Sequence, residues 1–260
     1  MKIAFITLSR EGAALFGELR KTFADADYFL HEKVEGVVNA ERFSRVADLT
    51  ARIFGEYEGL VYIAPSGAVV RAIAPHLRDK MKDPAVVQMD VGGRWAVSLL
   101  SGHEGGANEL AFAVANAIGA EPVISTSTDA AKNLIVGIGC RRGVEAERII
   151  DAVKTALADA GCALRQVRCI ASADVKADEA GLMEAARALG VPLRFIASDE
   201  IRESTLDFEK SEFVEQSVNL PAVAEPAALL AGRRTSLILR KRIFKGITVA
   251  IARERSSSLA

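Results

Sequence analysis

Cysteine is scarce in this chain and does not pair by motif. Cys140, Cys162 and Cys169 are odd in number and form no Cys-x-x-Cys unit, which argues against a disulfide framework and against a structural zinc site. No apolar run approaches the length that crosses a membrane. The first residues, Met1-Lys2-Ile3-Ala4-Phe5-Ile6, lack the long apolar region and small-residue cleavage site of a signal peptide and read as a first strand. An excess of one charge is missing too: 33 basic and 34 acidic side chains give a formal net charge of -1. That balance exerts no general pull on nucleic acid or an anionic membrane, so an anionic ligand must be held by local groups. No internal repeat is convincing. The expectation is a cytoplasmic protein with neither nucleic acid nor membrane as partner.

What is present is 260 residues with half of them hydrophobic, enough for one large domain or two modest ones. Short apolar runs suited to buried strands, such as Gly59-Leu60-Val61-Tyr62-Ile63-Ala64, alternate with helical spacing, such as Phe43, Val46, Leu49, Ile53 and Phe54. Ala85 to Met89 and Arg94 to Leu100 read as strands joined by the turn Asp90-Val91-Gly92-Gly93. Pro122 to Ser127 reads as a further strand. The rhythm restarts at Leu134, with an amphipathic helix from Val144 to Ala160, a helix from Asp178 to Leu189 and a hairpin around Phe244-Lys245-Gly246. Ser204 to Val223 reads as irregular and Ser256-Ser257-Ser258 as a frayed tail. The fold expected is α/β: two domains, 1–130 and 131–260, each a mostly parallel sheet flanked by helices.

The densest chemistry lies in Leu99-Leu100-Ser101-Gly102-His103-Glu104-Gly105-Gly106-Ala107-Asn108-Glu109-Leu110. Ser101 and Glu104 have the spacing of a capping box, which predicts a helix start there with three glycines in or beside its first two turns. Each glycine inside a helix costs about 1 kcal/mol relative to alanine, so a segment shaped only for helix formation would avoid them. Gly102, Gly105 and Gly106 are therefore candidates to offer backbone donors to a carboxylate or a developing oxyanion; tight packing on the sheet is the other reading. His103 is the candidate general base, because imidazole titrates near neutrality. Asn108 orients the base, binds a ligand, or is merely exposed. Ser101 and Glu104 are members of the reactive cluster or only the cap.

Other candidates are weaker. Ser66 and Gly67 occupy a strand-to-helix turn, and Arg71 one turn on offers a guanidinium fork to a carboxylate. Loops after strand carboxyl ends are where such sheets bind ligands, and both Pro65-Ser66-Gly67 and Ser101-Gly102-His103 fit that placing. In the second half, Gly137-Ile138-Gly139-Cys140-Arg141-Arg142-Gly143 presents backbone donors and two cations, Arg141 and Arg142, beside Gly139. It lacks the third glycine of a dinucleotide fingerprint. Lys176 either faces a cleft or belongs to a solvated helix start, and Glu225 is either a helix cap or an acid or base.

Taken together these stretches resemble the cobalt-precorrin-5A hydrolase family of anaerobic cobalamin biosynthesis. The resemblance rests on the Leu-Leu-Ser-Gly-His…Gly-Gly-Ala-Asn-Glu-Leu run, on Pro65 to Pro75, on Val136 to Gly143, on Lys176 to Leu182 and on Glu225 to Leu230. It implies that the δ-lactone of a cobalt corrinoid is opened and a two-carbon fragment expelled as acetaldehyde, giving cobalt-precorrin-5B. Both domains would then contribute to one cleft. It further implies a corrinoid substrate, neighbouring pathway enzymes as partners, and no protein metal or cofactor, since the cobalt arrives in the substrate. One departure stands out. Longer members carry a central segment between the domains, whereas here Ser127-Thr128-Asp129 runs almost directly into the second. Two rivals remain: a non-catalytic corrinoid carrier, and an enzyme holding a nucleotide phosphate at Ser101 to Gly106, a loop that lacks the Lys-Ser/Thr end of a P-loop.

Overall fold

A computed structural model describes residues 1–36, 39–209, 215 and 219–256. The chain divides into two compact units, Met1–Thr126 and Ser127–Ala260, just before the boundary expected at Ala130. In the first, β1 (Ile3–Thr7) leads through α1 (Arg10–Ala14) and α2 (Phe16–Thr22) to β2 (Asp27–His31) and β3 (Glu41–Phe43). Then come α3 (Val46–Ile53), β4 (Gly59–Ile63), α4 (Ser66–Ile73), β5 (Ala85–Met89), β6 (Trp95–Leu100), α5 (Ala107–Ile118) and β7 (Glu121–Val123). The sheet order is β3-β2-β1-β4-β5-β6-β7. Every neighbouring pair is parallel except β5 with β6.

β4 and β5 are buried at every residue, as strands covered on both faces must be. Strand alternation divides the side chains between two cores. Phe5, Val61, Ile63 and Val87 pack with Leu19, Leu110 and Val114 on one face, while Ile6, Leu60 and Tyr62 pack with Leu49, Ile53 and Val69 on the other. The Tyr62 hydroxyl meets its polar need at Thr50 Oγ1, 2.9 Å away. The hairpin between β5 and β6 is held by Asp90, whose carboxylate accepts from the Gly92, Arg94 and Trp95 amides. Gly93 takes φ +67°, a backbone region in which most side chains are strained.

In the second unit, α6 (Ser127–Ala130) precedes β8 (Leu134–Cys140), α7 (Ala146–Asp159), β9 (Val167–Ala173), α8 (Ala180–Leu189), β10 (Leu193–Ile196) and α9 (Ser198–Glu203). A helix we label α10 (Ala224–Leu230) and the hairpin β11 (Thr235–Phe244) and β12 (Ile247–Glu254) follow. The order is β10-β9-β8-β12-β11, with β8, β9 and β10 parallel and β12 antiparallel to both neighbours. The class is α/β as expected, but this second sheet is evenly mixed rather than mostly parallel. The closing hairpin returns β12 alongside β8 instead of packing outside it.

Boundaries differ in informative places. The helix expected from Asp178 begins at Ala180, with Glu179 at its N-cap and no side-chain cap bond. The strand expected from Pro122 to Ser127 ends at Val123. Of Ser204 to Val223, residues 210–214 and 216–218 lie outside the described residues, as do Ser257 and Ser258 of the tail. Among the described residues no helix is long and apolar enough to cross a membrane.

Candidate functional site

The reversed direction of β6 decides where the candidate residues lie. β6 pairs antiparallel with β5, Val87 opposite Ser98 and Met89 opposite Ala96. The carboxyl end of β6 therefore sits beside the amino ends of β4 and β5. Ser66, Gly67 and Arg71 follow the carboxyl end of β4, on the other rim of the same sheet. Five strand residues separate the rims, roughly 15 Å at the usual rise of a strand. The structure does not bring these two candidate sets together. All three residues on the β4 rim are exposed. Arg71 folds onto its own helix, its Nη1 donating to the Gly67 carbonyl at 2.8 Å.

On the β6 rim the capping-box expectation is corrected. Ser101 is not a helix cap: its φ is +57°, and α5 begins only at Ala107, with Gly106 at φ +81° as N-cap and no side-chain cap bond. The glycines therefore stand in the loop before the helix rather than inside it. The Ser101 carbonyl accepts from the Gly105 and Ala107 amides, each at 3.1 Å, and the Gly102 carbonyl accepts from the Asn108 amide at 3.0 Å. This folds the loop into a tight knot. A Cβ on Gly102 would fall 2.5 Å from Thr126 Cγ2 and 2.8 Å from Asn108 Oδ1. Close packing thus accounts for Gly102 and Gly105, and a left-handed backbone for Gly106. The Gly105 amide is already spent on Ser101.

Ser101 itself is only 7% exposed, and its Oγ has no hydrogen-bond partner among the described residues. A buried hydroxyl left unpaired on a left-handed non-glycine residue is costly twice over. His103 and Glu104 stand exposed on the outside of the knot. Glu104 accepts from Lys80 Nζ at 2.7 Å. That bond, with the Glu104 backbone amide, the Lys80 charge and neighbouring His103, holds its carboxyl below the ordinary glutamate value. Asn108, rather than being exposed on the second turn, is 3% exposed. Its Oδ1 accepts from Ser98 Oγ at 2.7 Å and its Nδ2 donates to Thr126 Oγ1 at 3.0 Å. One amide thereby ties β6, α5 and the segment after β7 together beneath the loop. Sequence reasoning missed Ser98, Thr126 and Lys80; only Ser98, a polar residue at an inward strand position, left a visible trace.

In the second unit the carboxyl ends of β8 and β9 lie side by side. Arg142 pairs with Asp178 at 2.8 Å, and the Gly143 amide donates to Glu179 Oε1 at 2.7 Å. These contacts join the loop after β8 to the turn after β9, where Lys176 is buried. Arg141 is exposed. Cys140 ends β8, and burial pushes its thiol up. Gly137 and Gly139 serve packing: a Cβ on Gly137 would fall 1.9 Å from the Ala224 carbonyl oxygen, and one on Gly139 3.3 Å from Val223 Cβ. They let α10 lie on the sheet. Glu225, in that helix, is 1% exposed. Its Oε1 accepts from the Lys241 amide at 2.8 Å and its Oε2 from the Glu209 amide at 2.7 Å. Lys241 falls where the β11–β12 register shifts, between Leu239 and Arg242, so Glu225 braces the irregularity. Among the described residues no group of three or more His, Cys, Asp or Glu is placed to hold a metal ion.

Known proteins place these features in context. The family model described as "Cobalamin synthesis G N-terminal" matches residues 48–129, and "Cobalamin synthesis G C-terminus" matches residues 134–252. The cobalt-precorrin-5A hydrolase of Priestia megaterium is 25% identical over 352 aligned positions, covering 96% of this chain and 94% of that protein. Since this chain has 260 residues, that relative carries inserted sequence with no counterpart here. Protein CobE of a Sinorhizobium species is 37% identical over 128 residues, 48% of this chain and 83% of that one. A crystal structure of CobE, described as a protein from the cobalamin (vitamin B12) biosynthetic pathway, aligns with a TM-score of 0.43 at 32% identity. It covers 47% of this chain and 91% of its own.

Proposed function

We propose, from the premise that this chain belongs to the cobalamin synthesis G family, that it hydrolyses cobalt-precorrin-5A and releases acetaldehyde. The observation that carries the reading is the β6-rim knot. It holds a buried, unpaired Ser101 hydroxyl in a left-handed backbone, with an ionised Glu104 and His103 on its outer side. Such strain persists only where the surroundings over-determine it, and it gathers at functional sites. In the assignment we make, His103 is the general base that takes a proton from water as it adds to the lactone carbonyl. Collapse of that adduct breaks the ring C–O bond and leaves a carboxylate and a hydroxyl on the two-carbon fragment. Loss of the hydroxyl proton then breaks the C–C bond. The fragment departs as acetaldehyde and the electron pair stays on the macrocycle. Ser101 supplies a hydroxyl donor to charge developing on oxygen, and Glu104 keeps the neighbouring imidazole positioned. Asn108 acts through the loop it anchors. The cobalt belongs to the substrate, and Arg141 and Lys176 supply cations for its carboxylates, the Arg142 guanidinium being paired with Asp178.

A second reading, a corrinoid carrier without hydrolytic activity, draws support from the sequence that the Priestia relative has and this chain lacks. Acetaldehyde release from cobalt-precorrin-5A separates the two. The hydrolase reading expects release by the intact chain and its loss in His103→Ala, with corrinoid binding retained. Release unaffected by His103→Ala keeps the activity and removes the base assignment. Tight binding without release establishes the carrier.

A further inference from the structure

Residues 77–84 lead into β5 and so stand at its amino end, on the β6 rim. A Cβ on Gly105 would fall 3.3 Å from the Asp83 carbonyl oxygen, which seats this segment directly on the knot. Lys80 Nζ closes the same junction, 2.7 Å from Glu104 Oε1. The segment is a turn locked by its own acids. The buried Asp83 carboxylate accepts from the Arg78 amide at both oxygens, at 3.2 and 3.0 Å. Asp79 Oδ1 accepts from the Met81 amide at 2.9 Å, and the Asp79 carbonyl accepts from the Lys82 and Asp83 amides at 2.9 and 2.8 Å. With these acids engaged by backbone and Lys80 by Glu104, the turn presents Arg78, Met81 and Lys82. All three are exposed, and among the described residues neither the Arg78 nor the Lys82 cation is paired. Met81 is 66% exposed, and Leu77, just before the turn, 45%.

Ordering such a turn costs chain entropy, and an exposed methionine between two exposed cations returns nothing to the core. The pattern matches a flat ring with an apolar face and carboxylates around its edge: a polarizable thioether suits the face, and cations suit the edge. We infer that the turn 78–82 is a ligand subsite of the β6 rim, with Arg78 and Lys82 each taking a peripheral carboxylate and Met81 lying against the ring. The occupant is a polycarboxylate macrocycle rather than an acidic peptide. Both β5 and β6 are paired on two sides, so this part of the rim offers no free edge to an extended chain. The turn supplies here what Arg71, folded onto its own helix on the other rim, does not. The cations assigned above belong to the second unit, whereas these sit against the knot that carries His103. The ring rests on the proposed corrinoid reading; the cation pair does not.

The test is calorimetry on the full chain with four probes: dicyanocobyrinic acid, a corrinoid polycarboxylate; dicyanocobinamide, a corrinoid whose side chains are uncharged amides; mellitate, a polycarboxylate without a corrin ring; and a hexaglutamate peptide. Arg78→Gln and Lys82→Gln are each expected to weaken dicyanocobyrinic acid roughly two- to fivefold, and the double variant roughly four- to twenty-five-fold. The loss should shrink at high salt. Met81→Ser should weaken both corrinoids about threefold and leave mellitate unchanged. Melting within about 2 °C of the parent shows that each variant folds, and Arg71→Gln, on the opposite rim, should bind like the parent. Undiminished binding of dicyanocobyrinic acid by the double variant overturns the subsite and leaves the corrinoid reading in place. Equal weakening of dicyanocobinamide would trace the loss to a damaged turn, and equal weakening by Arg71→Gln to general charge; either overturns the carboxylate assignment. Mellitate binding that needs Arg78 and Lys82, with neither corrinoid bound, keeps the cation pair and removes the ring. Hexaglutamate binding tighter than dicyanocobyrinic acid overturns the choice of occupant, and failure of the parent to bind any probe overturns the subsite and the corrinoid reading together.

Discussion

Gly105 and Ser101 press together so closely that a Cβ on Gly105 would fall 2.5 Å from the Ser101 Cβ and 3.3 Å from the Asp83 carbonyl oxygen. The neighbours in that contact are a side-chain stem and backbone, neither of which can swing away. Gly105→Ala is therefore expected to lose about 1–3 kcal/mol of stability, the usual cost of overpacking. Urea denaturation with an unchanged m value is the check. An alanine that costs nothing would show that the loop opens more readily than its hydrogen bonds indicate.

Ser101→Gly should behave in the opposite sense. The φ of +57° is comfortable for glycine, and the unpaired hydroxyl goes with the side chain. Stability should hold or rise by up to about 1 kcal/mol, after allowing for the extra freedom glycine gives the unfolded chain. Acetaldehyde release should fall at least roughly tenfold if the hydroxyl meets developing charge. A variant equally stable and fully active would strip Ser101 of any chemical role.

Asn108→Ala removes the acceptor of Ser98 and the donor to Thr126 at once. Leaving those groups without that amide in a buried setting is expected to cost about 1–3 kcal/mol. Hydrogen exchange should show faster opening at the start of α5 before the rest of the first unit. Uniform loosening of the unit would instead mark the amide as an ordinary core contact.

Glu104 offers a pH signature. Lys80 holds its carboxyl below the ordinary 4.5 in the folded state. The pairing is therefore complete above that value and is lost as pH falls through the lower, folded one. An NMR titration should find the Glu104 carboxyl titrating below 4.5, moving up towards it in Lys80→Met and at high salt. Titration unmoved by Lys80→Met would show that the backbone amide, not the lysine, sets the value.

Glu225→Gln tests whether that carboxylate is structural. Both oxygens accept from backbone amides, whereas a glutamine has one acceptor and turns a donor toward the other amide. A loss of about 1–3 kcal/mol is expected, with corrinoid binding intact in the fraction that remains folded. Normal stability with lost activity would return Glu225 to the chemistry.

Much of the fold was legible because buried strands announce themselves. The apolar runs at Ile3, Gly59, Ala85 and Leu134 all became strands. The turn Asp90-Val91-Gly92-Gly93 was equally clear, and the structure shows that across it β6 runs against β5. Its consequence, that the loops after β4 and β6 face opposite rims, needed the sheet order, which depends on pairings far apart in sequence. The Ser101–Glu104 spacing misled for a local reason. A capping box requires an extended Ser backbone, and two backbone amides drawn to the Ser101 carbonyl turned it left-handed. The buried state of Lys176 and the double grip on Glu225 are tertiary facts. Charged residues at helix starts look alike in sequence whether water or protein surrounds them.

The single reversed strand in the first sheet has a practical meaning. It gives one scaffold two independent faces for loops. Changes at Ser66 or Arg71 and changes at Ser101 to Gly106 fall on opposite rims, far enough apart to combine additively. One rim can be rewritten while the loop on the other keeps its conformation.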